Sequence, residues 1–487
     1  MIIVSITGPR MSEALEQVAA SDPWADMFEF RLDMIRRPEI ARLLLATRKP
    51  VVATCRPVWE GGEFSGPEEE RLDMLAAASL LGAEYVDIEL RAGKKALRQF
   101  LARRRESGVI VSYHAPPGSR PAVAPLYRKM KGTGADVLKF AFHARDAWEN
   151  RIAFDFLLRA SRDGRRAVAV AMGEAGEPSR VLYRVFGGWG TYAAPESGKG
   201  AAPGQVTGRV LSRLYRTERL NRTTKIFGVV GNPVRQSRGI RVHNPLFARA
   251  EKNGVYCRFA VKDLKKFFSH MVPLLSGFSV THPHKVAIGE FLDSRDPIAR
   301  AIGAVNTVTR TRGRLEGTNT DAPAALDAIE HVSPVRGKRM LILGAGGAAR
   351  AIAYEGARRG AHVIVSSRTA RAAVKLAREL GVASVPLGAI RDVDAEILVN
   401  ATPVGMAPRA HESPFPSSML RGKTVFDAVY TPAMTRLLRE AAGAGAKIVR
   451  GTEMYINQAA MQFALYAGVR ANIPLMKKLL TEVETES

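Results

Sequence analysis

The sequence predicts an α/β protein in which an N-terminal (β/α)8 TIM barrel is fused to a second, two-domain half that contains a Rossmann unit. Three observations predict it. Eight short, apolar, β-rich runs alternate with helical patterns through the first ~215 residues, a polar basic stretch follows, and a strand–glycine turn–helix–strand unit opens near residue 340.

The chain of 487 residues is too long for one ordinary core, so several folding units are expected. The expected barrel strands are residues 1 to 7, 27 to 33, 49 to 56, 85 to 90, 109 to 115, 137 to 144, 165 to 173 and 189 to 194. Helical patterns such as Glu68 to Leu81 and Lys94 to Ser107 lie between them. A closed parallel barrel places its chemistry at the C-terminal strand ends. Polar side chains gather there: Glu29, Arg31 and Asp33 after strand two, Arg56 after three, Glu89 in four, His114 after five and Lys139 in six. Residues 1–215 therefore form the expected barrel domain. The segment 212 to 225 is basic and lacks an apolar stripe, and marks the boundary. Residues 226–325 read as a second α/β domain, completed by the C-terminal helices of 456–487, and residues 335–455 as the Rossmann domain.

Composition narrows the function classes. Apolar residues make up 46% and charged residues 24%, the balance of a chain that can bury a core. The first residues run straight into a strand without a basic segment and apolar core of a leader, and no apolar stretch is long enough to span a membrane, so a cytoplasmic protein is expected. Cys55 and Cys257 are the only cysteines, which indicates neither a disulfide framework nor a zinc site; no metal is expected. Lys plus Arg number 72 against 47 Asp plus Glu, giving 72 − 47 = +25. The basic residues are dispersed, without interleaved aromatics, which argues against a nucleic-acid partner. A positive field steers small anionic substrates and a phosphorylated cofactor, which accounts for the sign of the charge and not its size.

Lys139 is a single ammonium in an otherwise apolar strand. Burial disfavours the charged amine, and a neutral amine is the nucleophile that forms an imine with a ketone. His114, one strand earlier, is a residue type that exchanges protons near neutrality. With these two stand EFRLD (29 to 33), TCRPVWEGG (54 to 62), SYH (112 to 114), GADVLKFA (134 to 141), MG (172 to 173), SR (179 to 180) and APGQ (202 to 205). Through them the first ~210 residues resemble the type I 3-dehydroquinate dehydratases. The resemblance implies that Lys139 is the Schiff-base lysine and His114 the acid/base that removes the C2 proton and protonates the departing C1 hydroxyl. It implies that Glu60 orients the histidine, Arg180 holds the substrate carboxylate, and Glu29, Arg31, Arg56 and Gln205 bind hydroxyls or shape the site. The family's serine before APGQ is Ala201 here, and its frequent acidic residue after SYH is Ala115.

In LILGAGGAARA (341 to 351), Gly344, Gly346, Gly347 and Ala348 form the turn and helix start that present N–H groups to a pyrophosphate. The next strand ends in Ser367, Arg368 and Thr369, with no acidic residue for a ribose 2′-hydroxyl, so NADP is expected in preference to NAD. Upstream lie VGNP, VTHPHK, GAVNT and NTD, and downstream NATPVGM, DAVYTP and GTEMYINQA. In this order the motifs resemble the shikimate dehydrogenases over residues 226 to 487. The resemblance implies that Lys285 and Asp321 are the catalytic pair at the substrate oxygen while hydride passes between C3 and the nicotinamide. It makes Ser237, Thr281, Asn306, Tyr430 and Gln458 substrate contacts, and puts Thr402, Gly451 and Met454 beside the cofactor. The implied partners are 3-dehydroquinate, 3-dehydroshikimate and shikimate. A non-catalytic scaffold, the rival reading, has no use for Lys139, His114, Lys285 or Asp321.

One departure carries an alternative. The family usually has two serines, S-x-S, for the substrate carboxylate, and here the second is Gly239, while Gln236 replaces a common histidine. Either a water or a nearby arginine, Arg235 or Arg238, takes over the lost contact, or the lost hydroxymethyl group makes room for the C1 hydroxyl of quinate and shifts preference towards quinate, in which case Gly239→Ser is expected to restore shikimate.

Overall fold

A computed structural model describes residues 1–103 and 106–485. The chain divides into two compact units, one of Met1–Ile240 with Glu251–Leu275, the other of Arg241–Ala250 with Ser276–Ser487. Among the described residues no helix is long and apolar enough to cross a membrane.

In the first unit eight strands run parallel: β1 (Ile2–Ile6), β2 (Met27–Arg31), β3 (Val51–Thr54), β4 (Tyr85–Glu89), β5 (Gly108–His114), β6 (Val137–His143), β7 (Arg166–Met172) and β8 (Thr191–Ala193). Their order is β7-β6-β5-β4-β3-β2-β1-β8. The ladder is continuous from β7 round to β8, and Trp189 N donates to Ala167 O at 2.8 Å to draw β8 towards β7. This is the expected barrel, nearly closed.

The strand period of two explains where the chemistry sits. Ile3, Met27, Val52, Tyr85, Ile110, Val137 and Val168 pack together as an apolar layer in the barrel. Two residues further along six of the same strands stand Ser5, Glu29, Thr54, Asp87, Ser112 and Lys139, which hydrogen-bond to one another as a polar layer. Two further again come Arg31, Arg56 and His114 at the rim of a cavity. Layers of inward side chains from successive strands are the packing rule of this barrel type. Here the lower layer seals the barrel with hydrocarbon and the upper layers keep the charges.

The boundary segment, expected to lack an apolar stripe, is packed. Leu211, Tyr215 and Leu220 are buried, and Tyr215 donates its hydroxyl to Glu177. A π-helical turn at Val210–Leu214 places Leu211 and Tyr215, four residues apart, on one side. The apolar stripe is thus present, but too sparse among basic residues to show in the sequence. Beyond it, β9 (Lys225–Gly231) and β10 (Gly254–Ala260) pair in parallel.

The second unit holds β11 (Gly277–Val280), β12 (Ser294–Arg295), β13 (Thr307–Thr311) and β14 (Arg314–Thr318), with β13 antiparallel to both β11 and β14. It continues with β15 (Arg339–Leu343), β16 (His362–Ser366), β17 (Ala383–Ser384), β18 (Ile397–Asn400), β19 (Thr424–Asp427) and β20 (Lys447–Val449). These six are all parallel in the order β17-β16-β15-β18-β19-β20. That is the doubly wound order, and its direction reverses between β15 and β18, where such sheets bind nucleotides. The terminal helices are Gly451–Ala467 and Ile473–Thr485, within a few residues of expectation.

Candidate active sites

A cavity of about 500 Å³ opens at the C-terminal ends of the barrel strands. All eight residues expected there line it: Glu29, Arg31, Arg56, Glu60, His114, Lys139, Arg180 and Gln205. Lys139 is 7% exposed. Its ammonium donates to Glu29 Oε1 and Asp87 Oδ2, both at 2.9 Å, and stands 3.9 Å from the centre of the Tyr192 ring.

These contacts correct the expectation of a neutral lysine. Burial lowers the lysine pKa, but the carboxylates of Asp87 and Glu29 outweigh it and hold the resting ammonium above the ordinary lysine range. Correspondingly Glu29, despite its burial, is held below the usual carboxylate range by Lys139 and Arg31. The resting lysine is therefore charged, and its proton has two acceptors in reach.

His114 lines the same cavity. Its burial, with the nearby cations Arg56 and Lys139, pushes the imidazole well below its ordinary value, so the ring is neutral at pH 7. Glu60 meets it through the main chain: its Oε1 accepts the His114 main-chain N–H at 2.6 Å, whereas Nδ1 is 3.6 Å away, too far for a hydrogen bond. The carboxylate fixes the strand end and faces the ring at close range.

Arg31 and Arg56 are less available than the sequence implies. Arg31 is clasped by both oxygens of Asp33 at 2.9 and 2.7 Å. Arg56 donates to Asp87, Glu89 and Ser112 at 2.8 to 2.9 Å. They shape the floor and wall by carrying its charge balance. Arg180 contrasts with both. It is 1% exposed, donates to the Tyr192 carbonyl at 3.0 Å, and among the described residues its Nε has no partner. Among the described residues no ion pair joins it, and burial lowers its pKa to about 10 against the opposing charge of Glu177. A buried guanidinium at a cavity wall with unused donors has the chemistry to bind a carboxylate. Gln205 Oε1 accepts the Ala202 N–H at 3.2 Å, within the loop that carries Ala201 over the cavity.

Asp87, Ser112 and Tyr192 were not singled out in the sequence. The signal for Asp87 was its spacing: in YVDIEL it lies two residues before Glu89 and therefore on the same face of the strand.

In the second unit Lys285 Nζ lies 2.6 Å from Asp321 Oδ2. Asp321 opens the helix Asp321–Glu330, where Asn319 Oδ1 accepts the N–H groups of Asp321 and Ala322 at 3.1 and 3.2 Å. The turn chemistry of NTD thus serves to aim the carboxylate. Asn306 Oδ1 accepts Thr320 N at 2.8 Å and its Nδ2 donates to Thr320 Oγ1 at 2.9 Å, tying GAVNT to NTD. The carbonyl of Thr281 accepts the His284 N–H at 3.0 Å. Tyr430 is 40% exposed and its ring lies 5.4 Å from that of Tyr455. Gln458 is half-buried on the helix Gly451–Ala467. One turn further on, Gln462, which the sequence reading passed over, is buried between Ser279 Oγ (2.9 Å) and Thr307 Oγ1 (3.0 Å).

The nucleotide turn fits its expected ligand. Gly344 has φ 127, and a Cβ there would meet the Ala401 carbonyl at 2.7 Å, so the close approach of β15 and β18 requires glycine. Space beside Gly346 and Gly347 is open, ahead of the helix Gly347–Arg358 whose second residue is Ala348. Thr402 donates to Asn400 Oδ1 at 2.6 Å at the end of β18. A Cβ on Gly451 would strike the Val429 carbonyl at 2.5 Å, and Met454 is buried one turn later. After β16, Ser367 donates to the Thr369 carbonyl at 2.8 Å, and Arg368 is exposed with no acidic partner among the described residues. An open glycine cradle and an exposed arginine suit a pyrophosphate and a 2′-phosphate.

Ser237 lies in the first unit, where its Oγ accepts the Gly239 N–H at 3.3 Å. The room that the sequence assigned to Gly239 is absent. A Cβ built there would lie 2.8 Å from the buried Tyr256 ring, so the ring already fills the place of a serine side chain. The argument for quinate fails on this packing, and so does the expected benefit of Gly239→Ser. Gly239→Ala is instead expected to destabilise by about 1 to 3 kcal/mol through overpacking, read as a lower midpoint of denaturation. An unchanged midpoint would show that Tyr256 yields freely.

Comparisons with known proteins agree with this architecture. The type I 3-dehydroquinase family matches residues 2–222, the shikimate dehydrogenase substrate-binding domain residues 229–308, and the F420-dependent NADP oxidoreductase family residues 339–430. The bifunctional 3-dehydroquinate dehydratase/shikimate dehydrogenase of Arabidopsis thaliana, a chloroplastic protein, is 35% identical over 98% of this chain and 84% of its own. The shikimate biosynthesis protein AroDE of Chlamydia pneumoniae is 29% identical over 96% and 95% of the two chains. A solved shikimate dehydrogenase in complex with NADP+ is 36% identical, with a TM-score of 0.51 over 54% of this chain and 96% of its own.

Proposed function

Because the chain belongs to the family of bifunctional 3-dehydroquinate dehydratase/shikimate dehydrogenases, we propose that it converts 3-dehydroquinate to shikimate in two steps, with the residue roles that follow. The observation that supports this most directly is Lys139, the one ammonium of the barrel's polar layer, in a cavity whose wall carries the buried Arg180. We assign dehydration to residues 1–215 and reduction to residues 226–325 with 456–487. Residues 335–455 hold the NADP.

In the barrel, Arg180 takes the substrate carboxylate and sets the ring against Lys139. The lysine proton passes to one of the carboxylates bonded to it, and the free amine adds to the C3 ketone, releasing water as the imine forms. Neutral His114 removes the C2 proton, the imine holding the resulting electron pair. The same ring, now protonated, gives a proton to the C1 hydroxyl as it leaves as water. Hydrolysis returns Lys139 and 3-dehydroshikimate, so the net change is loss of one water. Asp87, Glu29 and Arg56 keep the site's charge balanced while one proton moves.

In the second half, NADPH supplies the hydride when bound. Lys285 delivers a proton to the substrate oxygen while Asp321 holds the ammonium in place, and Ser237 donates to the substrate carboxylate. Thr281, Asn306, Tyr430 and Gln458 complete the substrate contacts.

Borohydride reduction during turnover with 3-dehydroquinate tests the first step: a covalent adduct on Lys139 is expected, and an unmodified lysine would refute the imine. The pH profile tests the base. With His114 held well below its ordinary value, the basic form persists as pH falls and is lost only when pH passes through the lowered folded-state value. Dehydratase kcat/KM should therefore stay level from pH 8 through 6.5, whereas an unperturbed histidine would already have lost half its activity near pH 6.5. For the cofactor, Arg368→Ala is expected to raise KM for NADPH about ten- to a hundredfold and leave NADH within about twofold; equal losses would remove Arg368 from the 2′-phosphate.

A further inference from the structure

The short helix Glu177–Val181 follows β7 and carries Arg180 at its fourth position. At its first position Glu177 is buried and bound on both oxygens: Oε1 accepts the Tyr215 hydroxyl, and Oε2 lies 3.5 Å from Arg258 Nη1. Arg258 belongs to β10, and its Nη2 lies 3.5 Å from the main-chain carbonyl of Ser237. All of these residues lie in the first compact unit.

The turn at Ser237 has two further supports, both internal. Ser237 N donates to the Val234 carbonyl at 2.9 Å, and Ser237 Oγ accepts from Gly239 N at 3.3 Å. With an N–H already on its oxygen, the Ser237 hydroxyl has its own hydrogen free to donate. The third support is the Arg258 cation. Its side chain is 19% exposed, its Nε has no hydrogen-bond partner, and among the described residues Glu177 is its ion-pair partner. A mostly buried guanidinium is costly to leave unpaired, and a counter-charge that holds it also fixes its position. The counter-charge here comes from the barrel, in the same short helix as the arginine that faces the barrel's own cavity.

We propose that Arg258 is a positioning residue for the dehydrogenase reaction, holding the Ser237 turn in register for the substrate carboxylate, and that the barrel carboxylate Glu177 sets Arg258. This rests on the reading of Ser237 as a carboxylate ligand. The barrel is then a structural part of the second reaction's substrate loop, and a substitution in the first catalytic half changes substrate binding in the other.

The test is steady-state kinetics of shikimate oxidation with NADP+, and of dehydration, on the full chain carrying Arg258→Met, Arg258→Lys, Glu177→Gln, the double Arg258→Met/Glu177→Gln, or Ser237→Ala. Arg258→Met and Glu177→Gln are each expected to raise KM for shikimate about five- to tenfold, with KM for NADP+ and kcat within about twofold. Arg258→Lys recovers part of the loss, since an ammonium reaches one partner but not both. The double variant is no worse than Arg258→Met alone, as two members of one relay require. Arg258→Met leaves dehydratase kcat/KM at the wild-type value.

An unchanged KM for shikimate in Arg258→Met and Glu177→Gln, with a raised KM in Ser237→Ala, overturns the relay and keeps the Ser237 reading. No effect of Ser237→Ala removes that reading and the relay with it. Additive losses in the double variant, or parallel losses of kcat in both reactions with a lowered Tm, also overturn it, because they report independent or merely structural roles.

Discussion

Replacing Lys139 by methionine lowers dehydratase kcat by at least about a thousandfold and leaves kcat for shikimate oxidation within about twofold. The size follows from the covalent route, because without an amine there is no imine to accept electrons from C2, and the remaining side chains only bind and orient. Methionine also removes the cation that faces Glu29 and Asp87 at 2.9 Å. Two buried carboxylates are then left short of a partner, which costs about 3 to 5 kcal/mol of stability and lowers Tm. Lys139→Arg separates the two effects: it keeps a cation but has no nucleophilic amine. It should retain more stability than methionine and be equally inactive. Dehydratase turnover in folded Lys139→Arg above a hundredth of wild type would contradict the role given to this lysine.

Asp321→Asn should reduce dehydrogenase kcat about a hundred- to ten-thousandfold while the barrel reaction continues unchanged. The carboxylate lies 2.6 Å from Lys285 Nζ and is aimed by Asn319 at the start of its helix. An amide of the same shape keeps the geometry but not the charge that holds the ammonium at the substrate oxygen. Lys285→Met should give a loss of similar size, and the double variant should be no worse than either single one, as expected of groups that act as a unit. Additive losses would assign the two residues to separate steps.

Much of this was legible in the sequence, for reasons particular residues make plain. The barrel could be read because its strands are short and β-rich, and because polar residues recur at their C-terminal ends. Glu29, Arg31, Arg56, His114 and Lys139 sit where an alternating strand must point inward, and the structure places all of them on one cavity. The Rossmann unit could be read because Gly344 answers a packing demand, the Ala401 carbonyl 2.7 Å from where its Cβ would be. What could not be read depends on distance in space. The charge on Lys139 is set by Asp87 from a strand 52 residues away. The crowding at Gly239 comes from Tyr256 on β10. Glu60 was found through resemblance, but its bond to the main chain of His114 rather than the ring has no sequence signature. The buried side of residues 211 to 220 was hidden by the basic residues between its three apolar side chains.

The central claim, two sequential reactions in one chain, is tested most directly by NADPH consumption with 3-dehydroquinate as the only added substrate. Wild-type protein should consume one equivalent of NADPH per 3-dehydroquinate converted to shikimate, Lys139→Arg and Asp321→Asn should each consume it at no more than about a hundredth of the wild-type rate, and a mixture of these two variants should regain the reaction. A wild-type chain that leaves NADPH untouched under these conditions, or a Lys139→Arg chain that consumes it at a rate near that of wild type, would contradict the account.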